Sequence, residues 1–185
     1  MDEVDGLLAD LARWTGEHRS AAAAESRVRQ RWLRQQAVED ARFAGLVLDL
    51  SERATTVVVR TITGRSVRGR IVAVAADCCL IGLDGGPPTL VRLEAMASVR
   101  PEPGRRATEA DAERAAPAAA TMADVLAGMA AERPRVRIGL VGPEEPFTGE
   151  LRAVGADVVT IRLDGDAAAV VYLRLAAVAE VTLLG

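Results

Sequence analysis

Gly69-Arg70-Ile71-Val72-Ala73-Val74-Ala75-Ala76-Asp77 and Gly149-Glu150-Leu151-Arg152-Ala153-Val154-Gly155-Ala156-Asp157 spell one nine-residue pattern twice, 80 residues apart. Each opens on glycine, continues through small and branched apolar side chains, and ends on aspartate, as a strand running into a turn does. The match spreads outward at the same spacing of 80: Glu52-Arg53 falls on Glu132-Arg133, and Leu83-Asp84-Gly85 on Leu163-Asp164-Gly165. Past that turn the spacing becomes 82, pairing Val91 with Leu173, Arg92 with Arg174, Leu93 with Leu175 and Val99 with Val181. The second copy therefore carries a hairpin two residues longer. Self-similarity at a fixed period is the signature of a duplicated structural unit.

Within the first copy, Val57, Val59 and Thr61 alternate with Val58, Arg60 and Ile62, a strand pattern rich in β-branched residues. Thr63-Gly64-Arg65 reads as a turn, Ser66 to about Ala76 as a long strand, and Cys78 to Leu83 as a third with Cys79, Ile81 and Leu83 on its core face. After the turn Asp84-Gly85-Gly86-Pro87-Pro88 come a strand from Thr89 to Leu93, a single turn at Glu94-Ala95-Met96, and a fifth strand from Ala97 to Arg100. A helix precedes each copy, marked by Phe43, Leu46, Val47 and Leu50 in the first and by Met122, Val125, Leu126 and Met129 in the second. Gly69 and Gly149 are expected to permit a sharp bend in the second strand, Asp77 and Asp157 to bond turn amides, and Asp84-Gly85 and Asp164-Gly165 to form hairpin turns.

Outside the repeat, Val4, Leu7, Leu11, Trp14, Ala21, Val28 and Trp32 recur at helical steps, interrupted by His18 and Glu25. The pattern predicts a helical segment over residues 1–40 that packs on the rest of the chain or forms a dimer seam. Residues 101–120, with Pro101, Pro103, Gly104 and Pro117, read as a linker. The domain plan is thus a helical segment at 1–40, a helix and five strands at 41–100, the linker, and a helix and five strands at 121–185. Only 3% of the 185 residues are aromatic, so Ala, Val, Leu and Ile must fill the cores.

This order of elements, with glycine in the second strand and a closing valine in the fifth, resembles the Sm-like and SH3-like small β-barrels. The whole chain is similar to a family of uncharacterised actinobacterial proteins with tandem barrels. The resemblance implies an α+β protein in which N-terminal helices precede two tandem five-stranded barrels, each led by a helix. It also implies RNA binding, but the Sm motif places an Asn after the Asp of the third loop. This chain has no Asn, and the matching positions hold Cys79-Leu80 and Val159-Thr160.

Composition excludes several chemistries. All 23 basic residues are Arg, so neither a Lys Schiff base nor a P-loop Lys is available. One His and two adjacent Cys make no zinc-ligand spacing and no Cys-His pair, so we expect no catalytic residue, metal or cofactor. No segment has the apolar length of a membrane span, and the acidic start Met1-Asp2-Glu3-Val4-Asp5 is unlike a secretory signal, which points to a cytoplasmic protein with reduced thiols. The reading is a non-catalytic interaction or assembly module with a protein partner or a second copy of itself, and no small-molecule substrate. The alternative is an RNA- or DNA-binding regulator. The net charge of -3 hides 14 Arg against nine acids over residues 11–100, and Arg60, Arg65, Arg68 and Arg70 gather around one hairpin there.

Overall fold

In a computed structural model of the chain, residues 42–83, 85–102, 119–142, 145–165 and 169–184 are described. The helical stripe of residues 1–40, most of the linker, and Asp84 lie outside them. The first copy comprises helix α1 (Phe43–Glu52), then strands β1 (Thr56–Thr61), β2 (Ser66–Val74), β3 (Cys78–Leu83), β4 (Gly86–Arg92), a 3-10 turn at Leu93–Ala95, and β5 (Met96–Pro101). The second comprises α2 (Met122–Ala130), β6 (Arg135–Leu140), β7 (Phe147–Val154), β8 (Val158–Leu163), β9 (Val170–Arg174), a 3-10 turn at Leu175–Ala177, and β10 (Val178–Leu184).

The two copies follow one another strand for strand, but they do not fold into two separate five-stranded barrels. All ten strands belong to one antiparallel sheet, in the order β5-β1-β2-β3-β4-β10-β6-β7-β8-β9. The expectation of tandem barrels fails at the middle of that order. There β4, the last-but-one strand of the first copy, pairs with β10, the last of the second, through Glu180↔Val91, Val181↔Leu90 and Thr182↔Thr89. Edge strands carry unpaired backbone donors and acceptors. Here the duplication supplies a complementary edge on the same chain, and the two ladders merge.

Pairing also corrects the repeat alignment. Val57 faces Gly69 as Val136 faces Gly149, so the spacing is 79 across β1 and rises to 80 only at β2. The helix ends agree: Ala54 and Arg133, again 79 apart, both take left-handed backbone, at φ 49° and 51°. Glu52 and Arg53 thus do not superpose on Glu132 and Arg133, and the second copy has one extra residue between β6 and β7. The longer second hairpin is present, since Ile81 faces Thr89 while Ile161 faces Val171.

The two glycines make room for the neighbouring strand. A Cβ on Gly69 would collide with the Gly82 carbonyl oxygen, and one on Gly149 with the Arg162 carbonyl oxygen, so the neighbouring strand crosses where a side chain would stand. The distortion lies two residues further on, where the register slips between Ile71 and Ala73 and again between Leu151 and Ala153.

Each helix covers its own copy. Val47, Leu48 and Leu50 of α1 pack with Val57, Val59, Val67, Ile71, Cys79, Ile81 and Val91. Met122 and Leu126 of α2 pack with Val136, Ile138, Leu151, Val159 and Ile161, but this second core also takes in Cys78 and Leu90 from the first copy. The seam is therefore continuous with the hydrophobic core of the second copy.

Candidate functional site

Along β10 the five residues Val178, Ala179, Glu180, Val181 and Thr182 are all buried. A strand buried on both faces must satisfy any polar side chain internally. Glu180 accepts a hydrogen bond from Arg65 Nη1 at 2.6 Å, and the same Nη1 reaches Thr182 Oγ1 at 3.2 Å. Thr89 and Thr182 hydroxyls meet across the seam at 3.2 Å. Gly139, facing Glu180 across the ladder, leaves room for that side chain: a Cβ there would stand 2.9 Å from the Glu180 Cγ.

Arg92 closes the other end of the seam. Its Nε donates to the Val178 carbonyl at 2.9 Å and its Nη2 to the Leu175 carbonyl at 3.0 Å, while Nη1 pairs with Asp77 Oδ2 at 2.9 Å. Asp77 Oδ1 in turn accepts from the Met122 amide at 2.7 Å. The repeat aspartate thus does not bond its own turn amides as expected: its carboxylate caps α2 of the other copy and holds the arginine that grips β10. A second cap at the same helix end is local, with Thr121 and Asp124 bonding each other's backbone amides. Those hydrogen bonds from Thr121 hold the Asp124 carboxyl below its ordinary range.

The four arginines singled out from sequence part company. Arg60, Arg68 and Arg70 lie on one exposed sheet face, in register with Ser66, Val58 and Thr56 respectively, and Arg100 joins them opposite Val58 on the other side. Arg68 forks onto Glu102 through Nε and Nη2 at 2.7 and 2.8 Å, and that bonding lowers the Glu102 carboxyl pKa. Arg65, by contrast, turns into the seam. Sequence reasoning missed its partner because Glu180 sits between apolar residues at an alternating position, where a carboxylate reads as solvent-facing.

Cys79 lies on the core face as expected, and Cys78 is also buried, one in each core. Burial pushes both thiols up to about 12, with Asp77 adding to the effect at Cys78 and Cys78 adding to it at Cys79. Both are protonated at neutral pH, and a thiol rather than a thiolate is a poor nucleophile. A surface recess of about 470 Å³ is lined by Arg133, Arg135, Glu150, Arg162, Leu163, Asp164 and Gly165. Four of its charges are paired: Arg135 donates to Asp164 at 2.7 Å, and Arg162 stands 3.4 Å from Glu150. Among the described residues no cluster of three metal-ligating side chains occurs, and no helix is long and apolar enough to cross a membrane.

What the geometry singles out is strand-edge chemistry, displayed once inside the chain at the seam and again at the sheet's two outer edges. Among the described residues no strand pairs with the outer side of β5 or of β9. β9 carries Val170, Val171, Tyr172 and Leu173 in a row, with Val170 and Tyr172 exposed, Tyr172 to 72%, and Leu173 buried. No protein-family model matches the chain, and no curated protein matches it.

Proposed function

We propose that the chain is a non-catalytic assembly module that recognises its partner by strand addition at the edges of its sheet. The observation that carries this reading is the seam itself. The molecule already joins two like units through one such pairing, with a half-buried arginine-carboxylate contact and a two-pronged arginine clamp. Apolar edge strands without covering charge are templates for pairing with another chain. The β9 edge has four apolar residues before its first charge, Arg174. The protonated, buried thiols fit a role in the cytoplasm with no redox chemistry of their own.

In-cell photo-crosslinking tests the reading. A photoreactive phenylalanine analogue at position 172 should give a discrete protein adduct, and the same analogue at Ile62, exposed but on neither edge, should give none. No adduct from position 172 above the Ile62 background would end the proposal.

A further inference from the structure

The surface recess on the second copy is built from side chains that the first copy does without. By the strand registers, its arginines Arg133, Arg135 and Arg162 correspond to Ala54, Thr56 and Gly82. The backbone beneath them is alike in both copies. Ala54 and Arg133 share the left-handed conformation, and Gly69 and Gly149 each let the next strand cross at a carbonyl oxygen. The fold therefore stands without the three guanidinium groups, and exposed ion pairs contribute little to stability. Their convergence in one recess calls for a ligand.

The register sets the charges in a row. Arg135 faces Glu150, and Glu150 faces Arg162, across β6, β7 and β8. The carboxylates hold this row without using it up. Asp164 Oδ2 accepts from both Nε and Nη2 of Arg135, at 2.9 and 2.7 Å, which leaves Nη1 unengaged among the described residues. Glu150 Oε1 accepts from Arg152 at 2.7 Å, while its Oε2 stands 3.4 Å from Arg162 Nη2, an ion pair too long for a good hydrogen bond. Arg133 has neither a hydrogen bond nor an ion pair among the described residues. With Arg152 counted, four arginines stand against two carboxylates, which leaves two positive charges around a recess of about 470 Å³.

We infer that the recess binds a small hydroxylated molecule through its phosphate monoester. This goes beyond assembly by strand addition and does not depend on it. A phosphate monoester carries close to two negative charges at neutral pH on three acceptor oxygens, which matches the charge left over. Guanidinium forks fit those oxygens two at a time, and Arg133 and Arg162 have donors that no acid takes up. The Asp164 oxygen that Arg135 leaves open, and Glu150 Oε2, can accept from hydroxyl groups on the body of the ligand. Leu163 and Gly165 add a stretch of lining without charge. A bare phosphate would leave those acceptors unused and much of the recess unfilled. The same two carboxylates discriminate against a nucleic-acid strand, because its next phosphate would be brought against a like charge.

The test is titration calorimetry of the full chain with glucose monophosphate at low ionic strength, beside free glucose, inorganic phosphate and a short RNA with a terminal phosphate. The ester should bind with a Kd below about 1 mM, at least about tenfold more tightly than inorganic phosphate, and free glucose should not bind. Arg133→Ala and Arg135→Thr each install what the first copy carries on the same backbone, so both variants should melt as the wild type does. Each should weaken binding of the ester by about tenfold or more. Arg70→Ala, at the first-copy place of Glu150, should leave affinity unchanged and serves as the control for general loss of positive charge. An ester that does not bind, an ester that binds no better than inorganic phosphate, an RNA that binds more tightly than the ester, or full affinity in Arg133→Ala would each overturn the inference.

Discussion

The first and second copies share a strand plan, a glycine crossing and a register slip, yet they meet their surroundings differently. In the first copy the outer side of β4 is covered by β10, so its Leu90 is core; in the second copy no strand among the described residues pairs with the outer side of β9, and Tyr172 is exposed. The same asymmetry runs through the polar residues. Arg92 makes four hydrogen bonds, one of them to the Met122 sulfur, while Arg174 makes none with the described residues. A residue's role in this molecule is thus set by which edge it occupies, and not by its place in the repeat alone.

The largest expected contrast comes from truncating the paired apolar positions. Leu90→Ala opens a cavity between two cores and should cost about 2–5 kcal/mol. Tyr172→Ala removes a larger side chain but, in the dissociated chain, should cost no more than about 0.5 kcal/mol. Urea unfolding at a concentration low enough to prevent association measures both. Equal costs would mean that the seam is not part of the core.

The half-buried ion pair at the seam comes next. Arg65→Ala leaves the Glu180 carboxylate enclosed with Thr182 as its polar neighbour, and its second oxygen already lacks a hydrogen-bond partner among the described residues. Loss of one member of a fully buried pair costs about 3–5 kcal/mol, and the partial exposure of Arg65 reduces this to about 2 kcal/mol. Pairing Arg65→Ala with Glu180→Gln should recover much of the loss, because an amide is cheaper to enclose than an unpaired charge. Counting back from β7, Arg65 corresponds to Glu145, which is exposed, and the counterpart change, Glu145→Arg, should leave single-chain stability unaltered within about 0.5 kcal/mol.

These contrasts show what could be read in the sequence. The strands are legible because period two and the turn residues are local: Cys78–Leu83 is found as read, and the single turn before the fifth strand falls at Leu93–Ala95. The duplication is legible for the same reason. The joining of the halves is not, since a merged sheet and two closed barrels use the same strands in the same order and differ only in which edges meet. The clue lay in Val178-Ala179-Glu180-Val181-Thr182, where burial of every residue, the carboxylate included, means that both faces are covered. Only the position of Arg65, 115 residues away in the chain, makes that glutamate tolerable there. The four arginines were legible as a basic group, but not that Arg65 and Arg68 each already hold an acid.

The clamp offers a third contrast. Arg92→Ala removes the grip on the Val178 and Leu175 carbonyls and frees Asp77, at a cost of about 1–3 kcal/mol. Arg174→Ala should leave the dissociated chain unchanged and weaken only its association. Hydrogen exchange localises the difference: Arg92→Ala should speed exchange in β10 and at the start of α2, and Arg174→Ala in neither.

Among the buried positions the smallest effect at neutral pH belongs to the cysteines, whose places in the second copy are taken by Val158 and Val159. Cys78→Ala and Cys79→Ala should each cost about 1 kcal/mol, since a small group leaves a small cavity. Their distinctive behaviour appears in alkali. In the folded chain burial holds both thiols near 12, against an ordinary value of 9.0. Below pH 9 both folded and unfolded chains keep these protons, and the thiols leave stability unchanged. Above it the unfolded chain releases protons that the folded chain retains, so stability falls as pH rises toward 12. Melting temperatures across this window should drop steeply for the wild type and more gently for the double alanine variant. Because the second copy has no thiol, the alkaline loss enters through β3, where Cys78 faces the seam core and Cys79 the core of its own copy. A wild-type slope no steeper than the variant's would mean that the thiols ionise without unfolding, and that the seam admits water where the packing says it is dry.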